Sequence, residues 1–91
     1  MKKITLTQFF DAKKGTLVIH CDTEEKANKL LKAFDRLGKT WCNGESYLYS
    51  NEYDDYKNKT CYSNDCGYTH YEFYKDHLCT IYEFEEVDLE N

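Results

Sequence analysis

The stretch TLVIHCDTEEKANKLLKAFDRLG, residues 16–38, contains a strand pattern that runs directly into a helix pattern. Its first six residues alternate and are rich in β-branched side chains, which is typical of a strand. Leu17, Ile19 and Cys21 should point to one face of that strand. The two residues between them, one of which is His20, should point to the other face, because successive side chains in a strand alternate.

The second part of the stretch predicts an amphipathic helix over residues 23–37. Asp22 stands at the N-cap position, and Glu25, three residues later, gives the spacing of a capping box. Gly38 can end the helix. The apolar side chains recur at the spacing of a single helix face; they are Ala27, Leu30, Leu31, Phe34 and Leu37.

Before and after this unit the chain predicts shorter elements. Thr5 can cap a short helix over residues 5–14. Asn43-Gly44 lies between KTWC and ESYLY, which is a strong signal for a two-residue hairpin. The polar residues 50–59 predict a loop with one helical turn.

The last third of the chain continues in the same way. TCYS (60–63) and LCTIYEF (78–84) are strand patterns, and NDCGYT between them predicts a turn. HYEFYKDH (70–77) fits a helix capped by Thr69 or a strand, and the helix is favoured.

This order of elements predicts an α+β fold. We expect a small, mostly antiparallel sheet of four to five strands, with the main helix on one face and short accessory helices. A chain of 91 residues is expected to form a single domain, 1–91. Its acidic end, residues 85–91, is expected to fray.

The charge balance narrows the class of partner. The formal net charge is −5, from 17 acidic and 12 basic residues, and Arg36 is the only arginine. Direct binding of a nucleic acid backbone is therefore not expected, since it needs clustered lysine and arginine. An acidic surface suits a basic protein partner, such as a nucleic-acid-binding protein. No segment is apolar enough to cross a membrane, the N-terminus lacks a signal-peptide core, and a cytosolic location is expected.

The five cysteines raise the possibility of a metal site. Cys61, Cys66, His70 and Cys79 carry the thiolate and imidazole groups that Zn²⁺ prefers, but their spacing lacks a tight pair of cysteines. The alternative, which is favoured, is that cysteines in strands are small core residues. In a cytosolic protein, free thiols are expected rather than disulfides. No metal and no other cofactor are predicted.

No catalytic constellation is recognisable, so an enzyme is not predicted. His20 and Cys21 are adjacent in a strand and should face opposite sides. A pairing of Cys21 with His70 has no supporting motif, and no glycine-rich elbow surrounds a nucleophile. The adjacent carboxylates Asp54-Asp55, like Glu85-Glu86, are expected to be solvated.

The nine tyrosines all lie in the C-terminal half. A sheet of this size can bury only about four of them, so the others should be displayed among carboxylates. Tyrosine offers rigid contact area and a hydroxyl group, which favours binding surfaces. The residues predicted to bind a partner are Tyr47, Tyr49, Tyr53, Asp54, Asp55, Tyr56, Tyr68, Tyr71 and Tyr74.

Three segments carry a resemblance to a known group of proteins: VIHCDTEEKANKLLKAFDRLGKTWCNGESYL (18–48), NKTCYS (58–63) and YEFYKDHLCTIYEF (71–84). Together they resemble small proteins of phages and prophages of Firmicutes, although Lys59 precedes Thr60 where those proteins commonly have NTCY. The resemblance supplies no catalytic residues.

The resemblance implies an accessory phage protein that acts in the cytoplasm of a bacterial host. Proteins of this kind often neutralise host defences, and an anti-CRISPR type of inhibitor would use carboxylates to imitate nucleic acid phosphates. The leading hypothesis is thus a non-enzymatic inhibitor or interaction module for a host protein, such as a defence nuclease.

Two alternatives remain open. An oligomeric sponge could sequester a nucleotide immune signal, which would require Lys39, Lys57, Lys59 and Lys75 to converge with tyrosines on phosphates. A small zinc-stabilised module is the other alternative. The oligomeric state cannot be predicted from these patterns.

Overall fold

The computed structural model describes residues 4–89. This part of the chain contains six strands and three α-helices. They are β1 (Ile4–Thr5), α1 (Leu6–Asp11), β2 (Leu17–His20), α2 (Glu24–Arg36), β3 (Thr60–Ser63), β4 (Tyr68–His70), α3 (Tyr71–Asp76), β5 (Thr80–Glu83) and β6 (Val87–Asp88). Single turns of 3-10 helix lie at Tyr53–Asp55, Lys57–Lys59 and Phe84–Glu86.

Four of the strands form a sheet in the order β4-β3-β2-β5. The pairs β2–β3 and β3–β4 are antiparallel, whereas β2 and β5 are parallel. The remaining strands, β1 and β6, form a separate parallel pair. The predicted α+β class with one main helix is confirmed. The parallel pairings join segments that are distant in the sequence, and no local pattern predicts them.

Helices α2 and α3 lie on opposite faces of the four-stranded sheet. On one face, Ile19 and its register partner Tyr62 belong to the core that includes Leu30 and Phe34 of α2. On the other face, Val18 of β2 packs with Cys61 of β3 and Tyr74 of α3. The predicted alternation of side chains along β2 is therefore confirmed, with Cys21 on the α2 side.

The caps of α1 and α2 show how closely local signals determine the ends of a helix. Thr5 caps α1, as predicted, and forms a capping box with Gln8. The N-cap of α2 is Thr23, whose hydroxyl accepts from the backbone N–H of Lys26, rather than the predicted Asp22. The Asp22 carboxylate accepts from the Lys26 ammonium group instead.

The predicted hairpin around Asn43-Gly44 is present only in part. The Gly44 N–H donates to the carbonyl of Trp41 and the Trp41 N–H to the carbonyl of Glu45, but the antiparallel pairing is limited to the isolated bridge Thr40–Ser46. Trp41 and Tyr47 are both buried, and their rings pack together at 4.5 Å between centroids. Burial of these two rings directs the segment towards the core and prevents a regular ladder.

The region after β3 agrees with the prediction in part. The strand Thr60–Ser63 and the helix α3 are confirmed, but the cap of α3 is His70, whose Nδ1 accepts from the Phe73 N–H, and not Thr69. Strand β4 was not predicted. It forms because the turn after β3 returns the chain antiparallel to it, with Tyr62 opposite Tyr68.

The expected fraying of residues 85–91 stays a prediction, and the structure gives residues 85–88 defined contacts. Glu83 and Glu86 form a capping box around the Phe84–Glu86 turn, and β6 then pairs with β1. Val87 is 7% exposed and belongs to the same core as Ile4. The acidic residues alternate with apolar ones that pack inward, which anchors the segment; residues 90–91 lie outside the described part of the chain.

Among residues 4–89, no helix is long and apolar enough to cross a membrane.

Candidate functional site

The structure divides the tyrosines into buried and accessible groups. Tyr47, Tyr53, Tyr62 and Tyr74 are buried, and Tyr49 is 76% exposed. The remaining four, Tyr56, Tyr68, Tyr71 and Tyr82, are partly buried. Tyr47, Tyr53 and Tyr74 therefore expose little surface to a partner in this conformation, and the predicted binding set stays a prediction.

The buried tyrosines pack in the hydrophobic core. Tyr47 packs against Phe34 of α2, and burial raises the pKa of its phenol to about 12. Tyr74 joins the second core beneath α3, where burial again raises the pKa. Tyr71 contacts the ring of His20 on that same side of the sheet. Tyr71 is thus separated by the sheet from the core that contains Tyr47.

The accessible aromatic and acidic residues meet at a cleft of about 390 Å³ between the 41–52 segment and the turn before β4. Clefts of this size are at the lower end of the range that holds small ligands or single side chains. We call it the acidic cleft. It is lined by Trp41, Glu45, Tyr49, Glu52 and Tyr68, and by the disulfide between Cys42 and Cys66.

The hydroxyl of Tyr68 links this cleft to two carboxylates. It lies 3.0 Å from Oε2 of Glu52 and 2.5 Å from Oδ2 of Asp55. A phenol carries one proton, so it can donate to only one of these acceptors at a time. The hydrogen bond to Asp55 is the main reason that the pKa of Tyr68 is raised, because ionisation would place three negative groups together.

The segment that carries Glu52 is fixed to the rest of the fold. The indole N–H of Trp41 donates to the carbonyl of Ser50, and the hydroxyl of Tyr62 donates to the carbonyl of Asn51. The Asn51 side chain also donates to Glu24 on α2. Glu52 itself adopts a left-handed backbone conformation, with φ of 55°, which non-glycine residues adopt only at some cost.

The acidic groups around the cleft have spare acceptor capacity. Within residues 4–89, no lysine, arginine or histidine nitrogen lies within 4.0 Å of the carboxylates of Glu45, Glu52 or Asp55. Asp54, by contrast, points to solvent and lies 3.9 Å from the Lys57 ammonium group. The cleft is therefore a concentration of negative charge beside exposed aromatic surface.

The predicted binding residues are only partly brought together. Tyr49, Tyr68 and Asp55 belong to the cleft or contact it, and the ring of Tyr56 lies 6.0 Å from that of Tyr68. The sequence pattern missed Trp41, Glu45 and Glu52. Their signal was the recurrence of acids between aromatic residues from 41 to 56, a pattern that also fits a solvated loop.

The possible zinc set is not assembled. Cys66 is bonded to Cys42, which also corrects the expectation that these two cysteines are free thiols. Cys61 is buried, with its pKa raised to about 12, and Cys79 donates to the carbonyl of Gly15. In the portion of the chain that the structure describes, no group of three His, Cys, Asp or Glu residues could hold a metal ion.

The other residues considered for catalysis have separate structural contacts and do not form a site. Burial raises the pKa of the Cys21 thiol, which suits a core residue rather than a nucleophile. His20 contacts Glu83 and the carbonyl of Asn58 on the opposite face from Cys21. Glu85 pairs with Lys26, and Glu86 accepts from the backbone of Glu83.

The lysines of the nucleotide-sponge alternative lie in separate surroundings. Lys39 lies over the ring of Phe10, at 4.8 Å from its centroid. Lys57 faces Asp54, and Lys59 pairs with Glu72. These contacts do not place Lys39, Lys57 and Lys59 around a common phosphate site.

Comparison of the chain with protein-family models, with curated proteins and with solved structures finds no match.

Proposed function

We propose that this protein is a non-enzymatic interaction module that binds a basic surface of a partner protein through the acidic cleft. The observation that carries the proposal is the joint placement of Glu52 and Asp55 on the single hydroxyl of Tyr68. Two carboxylates that share one donor, with no cation beside them in residues 4–89, favour a positively charged partner. The exposed ring of Tyr49 next to them supplies contact area.

The kind of partner follows from the charge. A nucleic-acid-binding protein exposes lysine and arginine in the groove that holds its phosphates, and a carboxylate pair can occupy such a groove. The resemblance to phage proteins supports an inhibitor of a host defence nuclease, such as a CRISPR effector, as the specific case.

Binding and inhibition can be measured together. Purified protein is mixed with defence nucleases of a Firmicutes host, with and without their nucleic acid, and both complex formation and cleavage are recorded. We expect a complex that weakens as ionic strength rises and that nucleic acid displaces, because both compete for the same charges.

Matched variants locate the surface. Tyr49→Ala and Glu45→Gln in the cleft should weaken the complex, because one removes exposed ring area and the other removes charge. Leu78→Ala and Glu25→Gln are the controls, since both residues are exposed and lie outside the cleft. Absence of any complex, or equal loss with cleft and control variants, would contradict the proposal.

A further inference from the structure

We infer that the acidic cleft accepts the guanidinium group of an arginine side chain that the partner supplies. The inference rests on the proposed function and names the group that the cleft recognises. It commits to arginine, rather than to basic character in general, because the walls of the cleft combine flat aromatic surface with carboxylates.

The shape of the cleft suits a guanidinium group. The cleft has a volume of about 390 Å³ and is open at the surface, so that a side chain can enter from a partner without any change of fold. The Tyr49 ring forms a wall that is 76% exposed, and Tyr68 forms another wall that is only partly covered. Faces of aromatic rings attract cations, and a planar guanidinium stacks on them better than an ammonium group does.

The cleft offers several hydrogen-bond acceptors. Glu45 and Glu52 line the cleft, and Asp55 is connected to it through the hydroxyl of Tyr68. A guanidinium carries five N–H donors in a fixed plane and can bind two oxygens of one carboxylate side by side. A lysine ammonium is a compact point charge and matches this flat, multi-acceptor wall less well.

The segment that carries these acceptors is already held in position. Hydrogen bonds from Trp41 and Tyr62 hold the backbone at residues 50 and 51, and the Ser50 hydroxyl accepts from the N–H of Glu52. The disulfide between two further lining residues, Cys42 and Cys66, links the two segments that form the cleft. A site that is ordered before binding loses less entropy when the ligand arrives.

The test uses blocked peptides of the form Gly-Gly-X-Gly-Gly, in which X is arginine, lysine or citrulline. Citrulline keeps the shape of arginine but has no charge. Each peptide is titrated into the isotope-labelled protein while backbone amide and indole N–H signals are followed by NMR. We expect the arginine peptide to shift the signals of Trp41, Glu52 and Gly67, and to bind about 10-fold more tightly than citrulline. Lysine should fall between them.

Two substitutions each remove one negative charge. Together they distinguish attraction of the peptide to the cleft from attraction to the net charge of the protein. Glu52→Gln should weaken arginine binding about 10-fold, because it removes an acceptor in the cleft. Glu25→Gln on the exposed side of α2 should leave binding unchanged, and signals far from residue 52 confirm that both variants keep the fold.

Each other outcome overturns the inference. Equal binding of arginine and citrulline excludes recognition of the charge, and equal loss in both variants shows that only net charge matters. Failure of the peptide while the nuclease complex forms and responds to Tyr49→Ala would refute the arginine assignment alone. Failure of the peptide and of every nuclease complex would refute the proposed function as well.

Discussion

The hydroxyl of Tyr68 joins the core to the charged surface. Its ring lies 5.5 Å from the buried ring of Trp41 and 6.0 Å from the partly buried ring of Tyr56. Its oxygen meets Glu52 and Asp55. A phenylalanine at this position would fill the same space but would leave both carboxylates without this donor.

The titration of Tyr68 should report this arrangement directly. The pKa of its phenol is raised first by the hydrogen bond to Asp55, then by burial and by the hydrogen bond to Glu52. Asp55→Asn removes a negative charge and should lower the pKa of Tyr68 towards its ordinary value of 10.0. NMR of tyrosine labelled at Cζ measures the titration, and Glu45→Gln is the control. An unchanged pKa in Asp55→Asn would show that the contact does not persist in solution.

Asn64 provides a second residue whose role is defined by its contacts. It is 2% exposed, its amide nitrogen contacts the carbonyls of Phe9, Ala12 and Lys13, and its Oδ1 accepts from the Gly15 N–H. Asn64→Ala removes these hydrogen bonds. The Lys13 carbonyl still accepts from Thr16, but each other buried group that is left unsatisfied costs about 1–3 kcal/mol. We therefore expect the free energy of unfolding to fall by about 2–3 kcal/mol in urea denaturation.

Asn58 offers the matched control for this measurement. Its side chain is exposed, and the structure shows it contacting His20 only through its backbone carbonyl. Asn58→Ala should change the free energy of unfolding by less than about 0.5 kcal/mol. A similar small effect of Asn64→Ala would mean that the 12–15 turn does not depend on this side chain.

At the level of helices and strands, the success of the sequence patterns depended on how locally each element is determined. The α2 pattern is amphipathic over more than three turns, and the helix forms where it was predicted, with the cap displaced by one residue to Thr23. The 40–49 segment has a good turn at Asn43-Gly44, but burial of Trp41 and Tyr47 outweighs strand pairing. Local propensity cannot reveal such tertiary competition.

The acidic cleft was hard to predict for the same reason. Its lining residues come from segments separated by Thr60–Ser63 and are brought together by the β3–β4 turn and a disulfide. The density of tyrosine and acid in this region was visible in the sequence. Tyr47 and Tyr53 are buried, whereas Tyr49 and Tyr56 are accessible. Which rings are buried depends on contacts with α2 and β3, and these contacts have no local signature in the sequence.

The disulfide should stabilise the long irregular segment between α2 and β3. Cys42 and Cys66 are separated by 24 positions. A disulfide that closes a loop of that length lowers the entropy of the unfolded chain, which stabilises the folded protein by about 3 kcal/mol. The double variant Cys42→Ser/Cys66→Ser should therefore lose about that amount in urea denaturation. Binding of the arginine peptide should weaken as well, because the bond forms one side of the cleft.

Cys79→Ser is the control for the removal of a thiol, because Cys79 is only partly buried and is not bonded to another cysteine. Counting thiols in unfolded protein before and after reduction checks the bond itself: three of the five should react before reduction. Reaction of all five in the unreduced protein, or equal stability of the double variant and Cys79→Ser, would contradict this role for the bond.

The distribution of shifted pKa values predicts how stability responds to pH across the fold. The carboxylates of Asp22 and Glu85 have lowered pKa values through Lys26, but both are exposed, so solvent screens their contribution. The phenols of Tyr47 and Tyr62 and the thiol of Cys61 have raised pKa values, chiefly because of burial. The larger pH sensitivity therefore lies on the alkaline side.

The direction in which stability changes with pH follows from the number of protons that the folded and unfolded states bind. Between its ordinary pKa of 10.0 and its raised pKa, a buried phenol keeps its proton in the folded protein and loses it in the unfolded chain. The unfolded state then binds fewer protons, and the free energy of unfolding falls as pH rises. Each such phenol contributes at most about 1.4 kcal/mol per pH unit. We expect nearly constant stability from mildly acidic pH to about pH 9 and a steep decline above pH 10, measured by urea denaturation followed by circular dichroism.

Tyr47→Phe and Tyr49→Phe each remove one hydroxyl group and keep the ring. Comparing the two variants shows whether the alkaline loss of stability depends on the burial of a tyrosine or only on the number of tyrosines. Tyr47 is buried and has a raised pKa, so its replacement should make the alkaline decline shallower by up to about 1.4 kcal/mol per pH unit. Tyr49 is exposed, and its replacement should leave the slope unchanged. Recovery of the spectrum on return to neutral pH excludes irreversible thiol chemistry. Identical slopes in the two variants would show that Tyr47 ionises as easily in the folded protein as in the unfolded chain, which its burial against Phe34 and Trp41 should prevent.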